Sequence, residues 1–370
     1  MKHAIIAAIG AGLIGLAQFI APAAAYAHGQ SDDTHRAEAG WSIAIHGGAG
    51  TLDPDRMTPE RRAAYEASLQ AALDAGARVL ADGGSAMDAV QAAIVPLEDD
   101  PLFNAGRGSV FTWEGTNELD ASIMDGRDRS AGAVTGVTTV RNPIQLADRV
   151  RTDSPHVFLM GQGAEQFARE QGFAVTPPEW FATEARRESL DRMRANALSS
   201  LDVDHKFGTV GAVALDTHGN VAAGTSTGGM TGKRWGRIGD APVIGAGTYA
   251  DNQSCAVSAT GWGEYFIRVG VAQEICTRLR IQTTFREEPC PDDAIGGSYC
   301  VSVQLPDAEV AQDTADAVMD EVAQLGGDGG VILVTPAGHA IFSFNTTGMY
   351  RGRATSEGVN EVAIFSGEAR

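Results

Sequence analysis

The sequence predicts a mixed α and β fold in which strands and helices form one contiguous set. Short apolar runs bounded by glycine, asparagine and aspartate, such as 210–215, are typical of buried strands. After Thr58 and Pro59, apolar side chains recur at helical spacing and define one face of a helix, namely Tyr65, Leu69, Leu73 and Leu80. A chain of 370 residues could form two domains. No linker separates two sets of elements, so we expect one domain.

Residues 1–27 have the pattern of a signal peptide. Lys2 and His3 form a short N-terminal region, an apolar stretch follows at 4–20, and A-Y-A at 25–27 (or A-A-A at 23–25) is typical of a signal-peptidase site. The alternative is a membrane span, but Gln18 interrupts the apolar stretch and no charged stop follows it. The sequence therefore predicts a periplasmic or secreted protein whose mature chain begins near residue 28.

The composition is acidic, with 28 Lys and Arg residues against 47 Asp and Glu residues and a net charge of −19. This charge is spread along the chain, which favours solubility and argues against nucleic acid or an anionic membrane as a partner. An oxidising compartment would permit disulfides among the four cysteines. Cys290 and Cys300 bracket a loop rich in Pro, Gly and Asp and are the preferred pair, whereas Cys255 is expected to be a buried free thiol. None of the four has metal-ligand spacing to a histidine.

The first half of the chain is predicted to place its strands around one polar loop at 97–108. A strand at 41–46 leads into H-G-G-A-G, where glycine allows two backbones to approach closely. Helices are predicted to follow the N-caps Thr58, Ser85 and Asn142. Further strands are predicted at 109–112, 119–125, 131–140 and 156–160. Beyond Pro177 a charged helix leads into a stretch whose composition is typical of an exposed, flexible segment, ending at Gly208.

The second half begins with strands at 210–215 and 221–224, joined by a turn. One helix is predicted from about 264 to 280 and another from about 308 to 325. The remaining strands are predicted at 330–335, 339–345 and 361–366. Between the two groups lies a block of glycines, small hydroxyl residues and charged residues at 224–263. Such residues at strand ends are where a rigid sheet presents chemistry.

Thr209 is the candidate nucleophile, although a threonine hydroxyl is weak and needs a neighbouring base. Neither His205 nor His218 stands at the spacing of a recognisable triad. The α-amino group of an N-terminal threonine can serve instead, because its pKa is about 7.7–8.0 and part of it is neutral near pH 7. That chemistry requires the chain to be cut between Gly208 and Thr209. Taken alone, G-T-V-G would more simply be the buried start of a strand.

Three motifs follow Gly208–Thr209 in a fixed order: G-T-S-T-G-G-M-T-G-K from 224, R-I-G-D from 237 and S-A-T-G-W-G from 258. This order resembles the plant-type L-asparaginase and isoaspartyl peptidase family of N-terminal nucleophile hydrolases, from about Trp41 to the C-terminus. The resemblance implies an α+β fold, the four-layer αββα sandwich. It also implies self-cleavage into an α subunit, 28–208, and a β subunit, 209–370, that assemble as a dimer of αβ heterodimers.

The resemblance assigns catalytic roles to four positions of this sequence. Thr209 would be the nucleophile, and Thr227 the second threonine that holds its amine and hydroxyl in place. Thr260 and Gly261 would form the oxyanion hole. Asn104, in L-F-N-A-G, matches the family's asparagine beside the nucleophile. No catalytic cofactor is implied.

The substrate contacts implied by the resemblance lie in the two motifs after Thr227. Arg237 and Asp240 would hold the α-carboxylate and the α-ammonium of a small aspartyl substrate, such as L-asparagine or a β-aspartyl dipeptide. This fits the residue types, because Arg grips carboxylates in a bidentate manner and Asp accepts hydrogen bonds from an ammonium. The backbone of Gly263 would add a contact to the substrate amine. The glycines at 326–330 would line the pocket.

The polar loop at 97–108 would bind a structural sodium ion in the family, through backbone carbonyl oxygens. The matching positions are Leu97, Glu98, Asp100, Phe103, Ala105 and Arg107. Without the resemblance, Asp99 and Asp100 would indicate only a solvated acidic turn.

The residues alone leave two other functions open. A glycosylasparaginase-like hydrolase is one, although T-G-G-M-T-G-K is more similar to the asparaginase branch. A secreted, non-catalytic binding protein on the same scaffold is the other, but it would not need the Gly208–Thr209 site. G-T-S-T-G at 224–228 also fits a nucleophile elbow with Ser226, yet the glycines that follow disfavour the helix such an elbow requires.

Overall fold

The computed structural model describes residues 40–196, 208–289 and 299–368. The predicted signal peptide lies outside these residues and stays a prediction. In the described part of the chain, no helix combines the length and apolar character that crossing a membrane would need.

Fourteen strands and eight α-helices make up the described fold. The strands are β1 (Ser42–Gly50), β2 (Leu119–Asp125), β3 (Ala131–Val137), β4 (Phe158–Met160), β5 (Val210–Leu215), β6 (Val221–Thr227), β7 (Thr248–Asp251), β8 (Cys255–Gly261), β9 (Thr284–Pro289), β10 (Tyr299–Gln304), β11 (Gly329–Val334), β12 (Ala340–Phe344), β13 (Gly348–Thr355) and β14 (Asn360–Phe365). The helices are α1 (Pro59–Ala81), α2 (Ala86–Asp99), α3 (Pro143–Asp153), α4 (Gly161–Glu170), α5 (Glu184–Asn196), α6 (Gly263–Val269), α7 (Val271–Gln282) and α8 (Ala308–Gln324).

Two sheets lie face to face in the centre of the molecule. The larger has the order β14-β13-β1-β5-β6-β2-β3-β4, and the smaller has the order β12-β11-β8-β7. Strands β1, β5 and β6 of the large sheet contact β8 and its neighbours in the small one. Helices α1, α2 and α3 cover the outer face of the large sheet, and α7 and α8 cover the small one. This is the α+β, four-layer αββα sandwich, and it confirms the expected fold.

The layering explains why the central strands are small and apolar along their whole length. All residues of β5 and β6 are buried, because one face meets the helices and the other meets the second sheet. A first apolar cluster lies between the helices and the large sheet and includes Ile45, Leu73 and Ile94. A second lies around the small sheet and includes Val213 and Ile332. Burial on both faces replaces the alternating pattern of a one-sided sheet with near-continuous apolar runs.

The predicted helix starts at Thr58 and Ser85 are confirmed by their capping bonds. The Thr58 side chain accepts a hydrogen bond from the backbone N–H of Arg61, and Ser85 accepts one from Asp88. Each cap satisfies an N–H that the first helical turn leaves without a partner. The third predicted N-cap, Asn142, precedes α3 but makes no side-chain capping bond.

Several predicted elements differ from the structure. The strand predicted at 109–112 is only a bridge between Phe111 and Asn117. The helix predicted from 264 to 280 is two helices, because Gly270 adopts a φ of +69° and ends α6 before α7 begins. The prolines at 177–178 start a single 3-10 turn, Pro178–Trp180, and the charged helix α5 begins only at Glu184. The antiparallel pair β9 and β10 was not predicted.

Cys255 forms a disulfide with Cys276. The expectation of a free thiol at Cys255 is therefore wrong. The bond joins β8 to α7, the helix that packs on that strand. Sequence spacing could not show this pairing, since it depends on α7 folding back over the small sheet. Cys290 lies outside the described residues, so its proposed bond to Cys300 stays a prediction.

Candidate active site

Thr209 lies directly before β5, opposite the end of β6. Because Val210 pairs with Ser226 in an antiparallel ladder, Thr209 stands beside Thr227. The Thr209 hydroxyl donates to Thr227 Oγ1 over 2.9 Å, and the same oxygen accepts the backbone N–H of Gly229 at 3.0 Å. Thr209 is only 8% exposed. The two predicted threonines are therefore brought together in a sheltered position.

Asn104 holds the peptide bond that precedes Thr209. Its backbone N–H donates to the carbonyl oxygen of Gly208 over 3.0 Å. Its side-chain amide donates to Gly229 O at 2.7 Å and accepts the N–H of Val110 at 2.9 Å. A β-carbon on Gly208 would stand 2.7 Å from the β-carbon of Asn104, so only glycine fits this approach. Asn104 thus polarises the Gly208 carbonyl and fixes the loop after Thr227.

His46, on β1, contacts Thr209, the candidate nucleophile. Its Nδ1 lies 3.0 Å from the carbonyl oxygen of Thr209, and its Nε2 lies 2.9 Å from Ser258 Oγ. Burial lowers the pKa of His46 to about 3, so the imidazole is neutral at ordinary pH. Because a carbonyl can only accept, the hydrogen is assigned to Nδ1. The sequence did not indicate this contact, because it joins strands that are far apart in the chain.

Thr260 and Gly261 stand at the end of β8, next to β11 of the same sheet. Thr260 Oγ1 is buried and has no hydrogen-bond partner among the described residues. An unpartnered hydroxyl inside a protein costs free energy, about 1–3 kcal/mol. Such a group is suited to donate to a substrate oxygen that develops negative charge, as the oxyanion role requires.

Arg237 and Asp240 are the residues predicted to bind the substrate. In the structure, Arg237 has a partner that the sequence did not indicate. The Arg237 guanidinium forms a bidentate pair with the carboxylate of Glu264, with Nε–Oε1 and Nη2–Oε2 distances of 2.9 and 2.8 Å. Glu264 directly follows Gly263 at the start of α6. The signal that could have found this pair is a carboxylate immediately after W-G in the motif.

Asp240 is buried and accepts few hydrogen bonds. Burial raises the pKa of its carboxyl group to about 7, although the positive charge of Arg237 opposes this. Its Oδ2 has no hydrogen-bond partner in the described structure. A β-carbon on Gly263 would lie 2.8 Å from Asp240 Oδ1, so glycine keeps that side of the carboxylate accessible. The arrangement suits a ligand that brings a positive charge.

Lys233 anchors the loop between Thr227 and Arg237. Its ammonium lies 3.1 Å from the Glu118 carbonyl oxygen, 3.6 Å from the Glu118 carboxylate and 3.7 Å from Asp120. The Lys233 side chain is only 2% exposed. The glycine-rich motif is therefore fastened to β2 and does not present its lysine to a ligand.

Ser226, the elbow candidate, points away from Thr209. Because side chains alternate along β6, it faces the helix layer and donates to Glu98 Oε1 over 2.6 Å. Burial raises the pKa of Glu98 to about 8.

The described part of the chain contains no group of three or more His, Cys, Asp or Glu residues that could hold a metal ion.

Comparison with known proteins gives a consistent set of relatives. A family model described as asparaginase matches residues 39–288, which include Gly208 to Gly263. The chain is 44% identical over 318 residues to an isoaspartyl peptidase of Salmonella typhimurium, covering 84% of this chain and 93% of that protein. It is 39% identical over 353 residues to a probable isoaspartyl peptidase/L-asparaginase 2 of Arabidopsis thaliana, covering 88% and 99%. It is 45% identical over 256 residues to the human isoaspartyl peptidase/L-asparaginase, covering 69% and 81%.

Proposed function

The chain belongs to the asparaginase family, and we propose that it is an amidohydrolase of L-asparagine and β-aspartyl dipeptides that activates itself by cleavage before Thr209. The observation that carries this proposal is the arrangement at Gly208–Thr209. The Thr209 hydroxyl is held by Thr227 at 2.9 Å, and the Gly208 carbonyl is polarised by the Asn104 N–H at 3.0 Å. The comparisons do not favour a glycosylasparaginase-like hydrolase or a non-catalytic binder.

Self-cleavage begins when the Thr209 hydroxyl oxygen attacks the carbonyl carbon of Gly208. The oxygen–carbon bond forms, the peptide C–N bond breaks, and the hydroxyl proton passes to the departing nitrogen, leaving an ester and a free amine. Water then hydrolyses the ester and releases the Gly208 carboxylate and the Thr209 hydroxyl. The Asn104 N–H stabilises the oxyanion formed in the first step, since a backbone donor is already aimed at that oxygen.

Substrate hydrolysis uses the same hydroxyl, with the new α-amine as base. The amine takes the hydroxyl proton as Thr209 attacks the side-chain carbonyl of the substrate, and it returns a proton to the departing ammonia or amine. The acyl-enzyme ester is then hydrolysed by water. Thr260, whose buried hydroxyl has no partner in the described structure, and Gly261 serve the oxyanion.

The substrate is held through its α-groups. Arg237 binds the α-carboxylate, and Asp240 with the Gly263 backbone binds the α-ammonium. The incoming ammonium favours the ionised form of Asp240, offsetting the burial that raises its pKa to about 7. Only an aspartyl unit linked through its side chain leaves both α-groups free, which excludes ordinary α-peptides.

A structural sodium ion in the 97–108 loop belongs to the same proposal. Neutral carbonyl oxygens suit a hard cation, and the loop brings such oxygens together. A β-carbon at Gly108 would lie 2.5 Å from the Pro101 carbonyl oxygen and 2.7 Å from that of Phe103. Carbonyls of Leu97, Glu98, Asp100, Phe103, Ala105 and Arg107 would hold the ion. It would stabilise the loop that carries Asn104 and take no part in the chemistry.

The proposed function also includes export to the periplasm or outside the cell, and assembly into a dimer of αβ heterodimers. Residues 1–27 support export through their signal-peptide pattern. The dimer follows from the family resemblance alone.

The proposed function is tested with Thr209→Ala, because no other residue can replace both the hydroxyl and the amine. We expect the purified variant to run as one uncut chain by intact mass and to hydrolyse neither L-asparagine nor β-Asp-Leu. Thr152→Ala, an exposed threonine on α3, is the matched control and should cleave and hydrolyse like the wild type. Normal cleavage of Thr209→Ala between 208 and 209 would refute intramolecular processing.

A further inference from the structure

Five buried polar side chains form a continuous hydrogen-bonded chain between the two sheets, directly beneath the active site. They are His46 on β1, Ser258 on β8, Thr225 on β6, Thr248 on β7 and Ser122 on β2, and all five are 0% exposed. The surroundings are apolar, because this is the space occupied by the second hydrophobic cluster. Burying five polar groups in such a layer is costly unless every one is bonded.

The chain runs without a gap from the nucleophile residue to the substrate-binding turn. It starts at the Thr209 carbonyl oxygen, 3.0 Å from His46, and passes to Ser258 at 2.9 Å. The following oxygen–oxygen distances, Ser258–Thr225, Thr225–Thr248 and Thr248–Ser122, are 2.7, 2.6 and 2.8 Å. It ends at Ser122, whose single hydroxyl hydrogen is shared between Thr248 Oγ1 and the carbonyl oxygen of Ala241, which lies 2.6 Å away and one residue after Asp240.

Strand register places this chain one layer below the catalytic groups. Side chains two residues apart on a strand share a face. Thr225 therefore lies on the same face of β6 as Thr227, and Ser258 on the same face of β8 as Thr260. Cross-strand pairing of Ser122 with Thr225, and of Thr248 with Ser258, brings the hydroxyls together. Thr225 and Ser258 thus sit next to Thr227 and Thr260, two groups assigned to the chemistry.

Gly211 makes room for the chain at its most crowded point. This residue of β5 pairs with His46 on one side and Thr225 on the other. A β-carbon here would overlap both Ser258 Oγ and His46 Nε2. Glycine at this central position of the sheet therefore leaves room for the contact between the His46 imidazole and the Ser258 hydroxyl.

The direction of the hydrogen bonds follows from the acceptor at the start. Since His46 Nδ1 must donate to the Thr209 carbonyl, neutral Nε2 accepts from Ser258. The Ser258–Thr225 bond then uses the Thr225 hydrogen, which also lies within reach of the Gly247 carbonyl at 2.9 Å. Thr248 in turn donates to Thr225. Each hydroxyl is oriented by its neighbour, so removal of one disturbs those on both sides.

We propose that His46, Ser258, Thr225, Thr248 and Ser122 are positioning residues that act as one unit, fixing Thr209 relative to the Asp240 turn. All five side chains are fully buried, so none of them would touch a substrate in the site above. The proposal rests on the proposed function, because the reaction it serves is cleavage and hydrolysis by Thr209. Small displacements of a nucleophile are expensive, since about 1 Å can lower a rate by about a hundredfold.

The test compares Thr225→Val, which removes only the hydroxyl, with Thr225→Ser, which retains it. Rates for L-asparagine and β-Asp-Leu are expressed per cleaved chain. We expect Thr225→Val to lower kcat by about tenfold or more, with KM changed by less than about twofold, and Thr225→Ser to retain most of the activity. If Thr225→Val also cleaves itself slowly and Thr225→Ser does not, the proposal is equally supported, since cleavage uses the same hydroxyl.

Two further variants separate positioning from mere stability. Val213→Ala removes apolar volume from the same interlayer space without touching the chain, so it should lower Tm while retaining kcat. The double variant Thr225→Val with Thr248→Val should be no slower than Thr225→Val alone, because one break already interrupts the unit. Three results would overturn the proposal. Thr225→Val could retain the wild-type kcat, or the double variant could show the product of the two single losses in kcat. Alternatively, Val213→Ala could lose as much kcat as Thr225→Val when both variants have lost the same amount of Tm. An inactive, uncut wild type would instead contradict the proposed function.

Discussion

Glu264 is paired with the Arg237 guanidinium, the group proposed to bind the α-carboxylate of the substrate. Its carboxylate forms the same bidentate contact with Arg237 that a substrate α-carboxylate would form, over 2.8 and 2.9 Å. The Arg237 side chain is 17% exposed and that of Glu264 is 46% exposed, so the pair sits at the solvent edge of the site. Ion pairs at the solvent edge contribute about 0–1 kcal/mol, and the bidentate geometry favours the upper end of that range. A substrate can therefore displace or share this contact at modest cost.

Replacing the competing charge should strengthen substrate binding. We expect Glu264→Gln to lower KM for L-asparagine by about two- to fivefold with little change in kcat, because the amide competes less well for Arg237. The matched control is Glu274→Gln, which breaks the analogous pair with Arg278 on α7, 2.8 Å long. A raised KM in Glu264→Gln would show that Glu264 instead holds Arg237 in its binding position.

The residues predicted from the sequence are those whose chemistry is local. Thr209, Thr227, Arg237 and Asp240 stand in short motifs, and the family resemblance of those motifs implies their roles. The contact of His46 with Thr209 could not be predicted, because it depends on β1 lying beside β5 in the large sheet. Glu264 was missed for a similar reason, since Arg237 and Glu264 meet only when α6 is placed beside the R-I-G-D turn.

At the scale of single elements, the start of a helix was easier to predict than its interior. Thr58 and Ser85 mark the starts of α1 and α2, because a capping side chain accepts a hydrogen bond from the backbone N–H three residues later. Gly270 lies within an otherwise helical pattern, and only its φ of +69° shows that the chain turns there. Apolar periodicity continues through this turn, since α6 and α7 both bury one face.

The disulfide fastens a strand that carries part of the candidate site. It joins β8, which ends at Thr260 and Gly261, to α7 on the outer face of the small sheet. A crosslink of this separation stabilises by about 3 kcal/mol, mainly by restricting the unfolded chain. We expect Cys276→Ala to lower the free energy of unfolding by about 2–4 kcal/mol. Denaturant unfolding measures the change.

Activity distinguishes the two ways in which that variant could behave. If the bond acts mainly on the unfolded state, kcat and KM of Cys276→Ala at low temperature should match those of the wild type. Thr277→Ala, at the neighbouring position of α7, controls for mutation of the helix and should leave stability nearly unchanged. An unaltered unfolding midpoint in Cys276→Ala would contradict a stabilising role for the crosslink.

For the whole molecule, the order of the large sheet decides what the proposed cleavage after residue 208 can do. Strand β1 precedes the cut, yet its two neighbours, β13 and β5, both follow it. Strand β2 also precedes the cut and pairs with β6, which follows it. The two segments are therefore interleaved within one hydrogen-bonded ladder. This topology explains how a single internal cut can free an amine at Thr209 without dividing the hydrophobic core.

The cleaved protein should consequently behave as one folding unit. We expect its two chains to remain together through native size-exclusion chromatography, and to separate only at the denaturant concentration where circular dichroism reports unfolding. Residues 28–208 expressed alone should not fold, because β1 would lose both neighbours and expose two rows of unpaired backbone groups. The control is uncut Thr209→Ala, which should unfold at a midpoint similar to that of the cleaved protein when chain concentration is high. Separation of the chains while the circular dichroism signal is still native would show that the ladder between β1, β5 and β13 does not hold the two segments together.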